Sequence, residues 1–341
     1  MKNRVVFYLP KNALFEATTY YCNLIKRAIL ILPISYEVVY VDQLSDICLD
    51  DIVITIRIDD PFKLFGKCKK IIHWFQGIAP EERVLADGNS FYSRLASFKY
   101  MIMEYILMRK VDLPFFVSDA MRAHYERKYK YKLSERFVIM PCYNIALDEN
   151  SFFINQKYER PNFVYAGGIL KWQCIEETLS VFKAFKARVP KATLTILTKD
   201  IQNALSLVKV IGCEDVNIKF IPLELLQSEL SHYKYGFLLR KDHVVNRVST
   251  PTKMNSYLSA GIIPIYTSAV EAFEENIDLG DFELKFNNLN IEEIVSNLIL
   301  MENKFIDANS VLIEYNRVFE SFYNDDFYIN EISNQFQKYI Q

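Results

Sequence analysis

"GFLLRKDHVVNRVSTPTKMNSYLSAGIIPIY", residues 236–266, decides how the rest of the chain is read. "GFLLR" is a short apolar strand, "KDHVVNRVS" a polar loop, and the run from Thr250 to Gly261 a helix. "IIPIY" is a second apolar strand. A helix between two such strands makes them parallel, because only a crossover brings the chain back in the same direction. Thr250 suits a capping role toward a first-turn N–H, and Pro251 suits the first helical position. Gly261 ends the helix where left-handed backbone is needed. The helix N-terminus thus lies at the carboxyl end of a strand, where free N–H groups and the helix dipole favour an anion. Arg240, Lys241, Arg247 and Lys253 place four cations around it. The plainer alternative is a solvated basic loop before a core helix.

The same alternation extends in both directions. Strand candidates lie at 4–9, 36–41, 51–56, 70–75, 113–118 and 136–141, with helical stretches at 17–32 and 91–110. A second series of strands lies at 162–167, 192–197, 217–222, 236–240 and 262–266, separated by helical patterns. Continuous apolar strands with helices between them predict parallel sheets covered on both faces. We therefore expect an α/β protein with two Rossmann-like, doubly wound domains facing a cleft, followed by C-terminal helices. The domains run over 1–150 and 158–312, and a final helical segment, 313–341, packs back on the first. Ligands of such sheets sit beyond the carboxyl ends of the strands.

Composition narrows the function. The 341 residues are 51% apolar and 24% charged, which is globular and not disordered. The six cysteines, at 22, 48, 68, 142, 174 and 213, form no C-x-x-C pair. They read as reduced thiols of a cytoplasmic protein, and no zinc spacing accompanies them. No apolar run reaches the ~18 residues needed to span a bilayer. The net charge of −2 hides an asymmetry: residues 62–136 hold 15 Lys/Arg against 8 Asp/Glu. Such a patch calls for an anionic partner without naming it. No Asp-x-Asp cluster is placed to hold a metal, so neither metal nor cofactor is expected.

Gly167-Gly168, between a strand and a helix, lets backbone approach a ligand, or simply makes a tight turn. Lys171 and Trp172 flank it. In the first half, His73 sits mid-strand and reads as a core histidine. In the 91–110 helix, Leu95, Phe98, Ile102 and Tyr105 form one apolar face, a pattern that usually packs inward. Cations on that helix and in "RAHYERKYKYK" make 91–132 a basic, aromatic region. It suits contact with the inner surface of a membrane better than nucleic acid, since no recognition module accompanies it.

Several segments carry a resemblance. "STPTKMNSYLSAGIIPI" resembles the P-x-K-x-x-E-Y-L-A-x-G-x-P-V-I segment of family 4 glycosyltransferases of the GT-B fold. "NFVYAGGILKWQCIEETLSVFKAF" is similar to the opening of their nucleotide-binding domain, and "FVIMPCYNIALDENSF" to their interdomain hinge. "HWFQGIAPEERVL" is similar to an acceptor-side loop of capsule and O-antigen members. The resemblance covers most of the chain in order. It implies a retaining hexosyltransferase that moves sugar from a nucleotide-sugar donor to a lipid-linked or free glycan in bacterial surface polysaccharide synthesis. It places the donor against Gly167, Gly168, Lys171, Gln173, Pro222, Leu223, Arg240, Lys241, Arg247, Thr250, Lys253 and Ser256. Gln76 falls beside the transferred sugar, and Gly77 allows close approach. Glu81 or Glu82 would bind acceptor hydroxyls or act as base, unless they are only first-turn residues after Pro80. Asn12 and Thr18 are further acceptor candidates.

Two family features are altered. Val248 and Ser256 stand where relatives keep glutamates, and Gly168 and Gln173 where they keep a basic diphosphate clamp. The diphosphate then depends on the cations of 240–253. Two other readings stay open on this architecture: a sugar-nucleotide epimerase, and a catalytically silent sugar-nucleotide-binding subunit.

Overall fold

Runs rich in valine, isoleucine and phenylalanine form two six-stranded parallel sheets, whose inner strands are buried on both faces. The computed structural model describes residues 3–11, 13, 16–88 and 90–340, apart from the side chains of Glu16 and Ala17. Contacts divide the chain into two units. One comprises Met1–Cys142, Val248–Thr250 and Asn324–Gln341; the other comprises Tyr143–Arg247 and Pro251–Tyr323.

In the first unit the order is β1 (Asn3–Tyr8), α1 (Glu16–Leu30), β2 (Tyr36–Val41), β3 (Ile52–Thr55), α2 (Asp60–Leu64), β4 (Lys70–Phe75), α3 (Ala79–Asp87), α4 (Phe91–Lys110), β5 (Leu113–Phe116), α5 (Asp119–Tyr129) and β6 (Val138–Ile139). The sheet runs β2-β1-β3-β4-β5-β6. Ser90 and Ser118 cap α4 and α5, accepting hydrogen bonds from the N–H groups of Ser93 and Met121. His73 lies inside the sheet, its Nδ1 2.8 Å from the Thr55 hydroxyl, and burial pulls its pKa down to about 3.

The second unit contains β7 (Asn162–Ala166), α6 (Ile175–Arg188), β8 (Thr193–Leu197), α7 (Ile201–Ile211), β9 (Val216–Lys219), α8 (Leu223–Leu230), β10 (Tyr235–Leu238), α9 (Val244–Arg247), α10 (Thr252–Ser259), β11 (Ile263–Thr267), α11 (Glu271–Asn276), β12 (Leu284–Phe286), α12 (Ile291–Glu302) and α13 (Ala308–Ser321). Its sheet runs β12-β11-β10-β7-β8-β9. The last helix, α14 (Asp325–Tyr339), returns to the first unit. There Asp325 accepts hydrogen bonds from Tyr20 at 2.6 Å and Arg27 at 2.7 Å, and Lys70 reaches the Tyr339 carbonyl at 2.8 Å. Of the final helical region, α13 stays with the second unit and only α14 joins the first.

The apolar stripe of α4 does not face the core. Leu95, Phe98, Ile102 and Tyr105 are exposed, whereas Ser93, Glu104, Leu107 and Met108 are buried. Periodicity reveals a face but not what covers it. Here the inward face is chosen by Glu104, which accepts hydrogen bonds from Tyr125, Tyr129, Lys128 and the N–H of Ala79.

The close of α10 depends on one glycine. Gly261 has φ +67, and a Cβ there would stand 2.9 Å from Phe152 and from the Tyr158 hydroxyl. Lys157, also buried, donates to the carbonyls of Ser151 and Ala260, and burial pulls its pKa down to about 7. Gly280 has a similar φ of +56 but open space around it. Gly261→Ala should therefore cost about 2 kcal/mol more than Gly280→Ala, the difference being overpacking alone. Denaturant midpoints of the two variants measure it; equal losses would show that the crowding is relieved.

Candidate functional site: buried cations at the strand reversal of the second sheet

In the second sheet the chain leaves β7 toward β8 on one side, while β10 lies on the other. At such a reversal the loops beyond the strand ends part and open a crevice. The loops here are 167–174 after β7 and 239–243 after β10; the short α9 and then α10 follow the second.

Gly167 adopts φ +136, and a Cβ on it would stand 2.5 Å from Cε of Lys253. The lysine side chain therefore runs directly past the backbone turn. Its Nζ donates to Gln173 Oε1 and lies 3.9 Å from the centroid of the Tyr165 ring. The Tyr165 hydroxyl is 2.5 Å from the Gly168 carbonyl and 3.0 Å from the same Gln173 oxygen. Tyr257 of α10 ties the two strands together, accepting from the N–H of Ala166 at 3.1 Å and donating to the Phe237 carbonyl at 3.1 Å. Arg240, only 4% exposed, is pinned through its backbone N–H and C=O by the Thr267 hydroxyl. Its Nη1 donates to the Leu239 carbonyl at 3.0 Å.

Neither Arg240 nor Lys253 forms a salt bridge with a carboxylate among the described residues, whose ion pairs lie elsewhere. Burial lowers the pKa of Arg240. Burial, and then the charge of Arg240, hold that of Lys253 well below the usual lysine range. Taking a cation out of water costs several kcal/mol unless a counter-charge answers it. An anion placed beside Arg240 and Lys253 would supply that charge.

The other expected cations differ. Lys241 is largely exposed and bound to Glu177 at 2.5 Å; Arg247 is half-exposed and held by both oxygens of Asp242 at 2.5 and 2.7 Å. Short-range partners of their own neutralise both, which no spacing in the sequence reveals. Thr250 does not cap α10. Its hydroxyl instead accepts the N–H of Cys142 at 2.9 Å, and Pro251 takes the capping position, leaving α10 to start at Thr252. Ser256 is buried inside α10 with its hydroxyl on the Thr252 carbonyl at 3.1 Å. Val248 offers only its carbonyl, which accepts from Ser118 at 2.6 Å. Lys171 is exposed, and with Leu170, Glu176, Glu177 and Lys241 it lines a separate pocket of about 510 Å³. Pro222 and Leu223 stand at the start of α8, beyond the edge strand β9.

In the first unit, Gln76 is exposed just beyond β4 and Gly77 follows it. Glu82 turns back onto the N–H of Ile78 at 3.1 Å, and Glu81 pairs with Lys128 at 2.8 Å and His124 at 3.2 Å. Hydrogen bonds and the lysine outweigh burial and keep the Glu81 carboxyl below its usual pKa. Both glutamates are thus engaged by the protein. Tyr125 links this network to the loop by donating to the Gly77 carbonyl at 2.9 Å. Thr18 is buried in α1, and Asn12 lies outside the described residues. Sequence reasoning missed Tyr165, Tyr257 and Glu104. Of these, only Glu104 left a trace, as a lone acid within "YMIMEYILM". Among the described residues no three His, Cys, Asp or Glu side chains cluster as metal ligands.

No family model matches the sequence, and no curated protein does. Solved structures match the fold. TarM from S. aureus, crystallised with fondaparinux, α-GlcNAc-glycerol and UDP, superposes with a TM-score of 0.63 at 10% identity, over 85% of this chain and 56% of TarM. HepE from Anabaena, in complex with UDP-glucose, gives 0.68 at 9% identity, over 98% of this chain and 99% of HepE. The α,α-trehalose-6-phosphate synthase of Burkholderia multivorans gives 0.57 at 14% identity, over 96% and 77%. The chain thus spans little more than half the length of TarM. These neighbours are GT-B glycosyltransferases, and the two-domain α/β GT-B fold is what this chain shares with them. No helix among the described residues is long and apolar enough to cross a membrane.

Proposed function

We propose that the protein is a hexosyltransferase-type glycosyltransferase. It moves a sugar from a nucleoside-diphosphate donor, bound by the second unit, to a glycan acceptor bound by the first. The observation that carries this reading is the pair of buried basic side chains, Arg240 and Lys253, without carboxylate partners among the described residues, Lys253 running past Gly167. A sugar diphosphate is the chemistry they fit. As the bond from sugar to diphosphate breaks, negative charge grows on the leaving oxygens, and fixed cations in a dry site stabilise it strongly. In this reading Gln173 orients Lys253, Gly167 and Gly168 admit the diphosphate to the backbone, and Gln76 and Gly77 face the acceptor. The resemblance to family 4 enzymes of capsule and O-antigen synthesis supports a retaining mechanism without metal. It also supports a lipid-linked acceptor at the inner face of a membrane.

Incubation with UDP- and GDP-sugars and a lipid-linked glycan tests this: extension of the glycan supports transfer. Conversion of the free donor would favour the epimerase. Binding without either reaction would favour the silent subunit, for which the hydroxyl of Ser256, spent inside its own helix, is the one structural argument.

The depressed pKa of Lys253 adds a pH signature. In the free protein burial favours the neutral amine; a bound diphosphate favours the ammonium. Binding of UDP-glucose, whose diphosphate does not itself titrate near neutrality, should therefore draw a proton from solution. Its affinity should weaken as pH rises. Calorimetry in buffers of different ionisation enthalpy reads the proton, and proton release would contradict this electrostatic account.

A further inference from the structure

Helix α4 carries an apolar stripe that no described residue of its own unit covers. Phe91, Leu95, Phe98, Ile102 and Tyr105 recur at intervals of three and four, the spacing of one helix face, and each exposes 44% or more of its surface. Tyr92 beside them is 82% exposed. Phe62 of α2 joins Tyr92, Leu95, Phe98 and Ile102 around an apolar groove of about 640 Å³, and Phe65 lies edge-on to Phe62 at 5.5 Å. The opposite face of α4 is fully committed to its own unit through Glu104, Leu107 and Met108. Contiguous large apolar side chains on a surface mark a place that is covered in use.

Charge selects what covers it. The exposed charges of α4 are Arg94, Lys99 and Lys110, and its one acid, Glu104, is buried. Lys67 and Lys69, just after α2, are exposed as well. A second copy placing its own α4 here would bring like charges together, since the one acid of that helix is buried. A nucleic acid would satisfy the cations but leave the aliphatic and aromatic stripe in water. A bilayer surface containing anionic lipid answers both, with headgroups on the lysines and the apolar face in the acyl boundary.

We propose that α4, with the adjoining end of α2, docks the protein in the plane of an anionic lipid bilayer. The purpose of this docking rests on the lipid-linked acceptor proposed above, while the surface itself stands on α4 alone. The test is co-sedimentation of the full chain with phosphatidylcholine vesicles, with and without phosphatidylglycerol. The protein should bind the anionic vesicles and release as salt is raised. Leu95→Gln with Phe98→Gln should lower the bound fraction about tenfold, because the apolar face supplies the insertion. Lys99→Glu with Lys110→Glu should do the same at low salt. These side chains are exposed, so melting temperature and UDP-glucose affinity should stay at the parent's values in both variants.

Equal binding with and without phosphatidylglycerol would overturn the proposal, as would full vesicle binding by both variants. Self-association of the parent that disappears in Leu95→Gln with Phe98→Gln would assign the stripe to a second copy instead. A parent that binds anionic vesicles but no nucleotide-sugar keeps the docking surface and sinks only the transferase.

Discussion

Lys253→Met should abolish most affinity for nucleoside diphosphate sugars while leaving the free protein at least as stable as its parent. The two effects have one cause. In the free protein Lys253 is buried beside Arg240; burial and that neighbour both work against its charged form, and it forms no ion pair with an acid among the described residues. Methionine keeps a flexible stem over the Tyr165 ring and removes the charge. Replacing buried ionic groups by apolar ones of similar volume is neutral or stabilising by about 1–4 kcal/mol. Gln173 loses one donor but keeps the Tyr165 hydroxyl at 3.0 Å. In the complex the balance reverses, since truncating one partner of a buried charge pair costs about 2–5 kcal/mol. We expect donor affinity to fall about 100- to 1,000-fold, with tenfold for each ~1.4 kcal/mol. Arg240→Met should behave alike. Arg247→Ala and Lys241→Ala, at exposed side chains already paired with Asp242 and Glu177, should change affinity less than about threefold. Titration with UDP- and GDP-sugars, alongside thermal melting, measures both quantities. If Lys253→Met binds normally, or if Arg247→Ala is the larger loss, the anion does not sit beside Gly167.

Glu104→Ala should be the most destabilising single change in the first unit. It strips a common acceptor from the hydroxyls of Tyr125 and Tyr129, from Lys128 and from the N–H of Ala79. Breaking a buried hydrogen-bonded charge network costs about 3–5 kcal/mol. For a domain of this size that lowers the melting temperature by about 10 °C. Lys128 still has Glu81 at 2.8 Å, which keeps the loss toward the lower end. Glu104→Gln retains one acceptor oxygen and should cost less than half as much. Burial raises the Glu104 pKa above the usual carboxylate value. Between the ordinary and the raised pKa the folded state binds more protons than the unfolded chain, so this group's contribution falls as pH rises through that window. The stability of Glu104→Gln should therefore approach the parent's as pH rises. A gap that widens with pH would mean that the carboxylate is stabilised where it lies. Because Tyr125 also holds the Gly77 carbonyl, Glu104→Ala should loosen the Gln76–Gly77 turn as well.

Much of this architecture was legible in the residues. Strands such as "KIIHWF" and "NFVYA" are apolar without alternation, which only a sheet buried on both faces accommodates. Gly261 announced the end of α10, and its positive φ follows from the need for a left-handed residue there. The cationic neighbourhood after β10 was legible too, but not its division of labour. Four cations in fourteen residues look equivalent on paper. In the fold two find carboxylates, Glu177 across a loop and Asp242 five residues back, and two are turned inward without one among the described residues.

By itself, then, the sequence determined the alternation of strands and helices, the parallel sheets and the basic loop before α10, because these depend on local pattern and short connections. Only the tertiary structure decided that Arg240 and Lys253 are the buried pair, that Thr250 serves the Cys142 N–H, and that the α4 stripe faces outward. The physical reason is common to all three. Burial and pairing depend on partners far away along the chain, such as Gln173 for Lys253 or Tyr129 for Glu104, and periodicity along one segment carries no record of them.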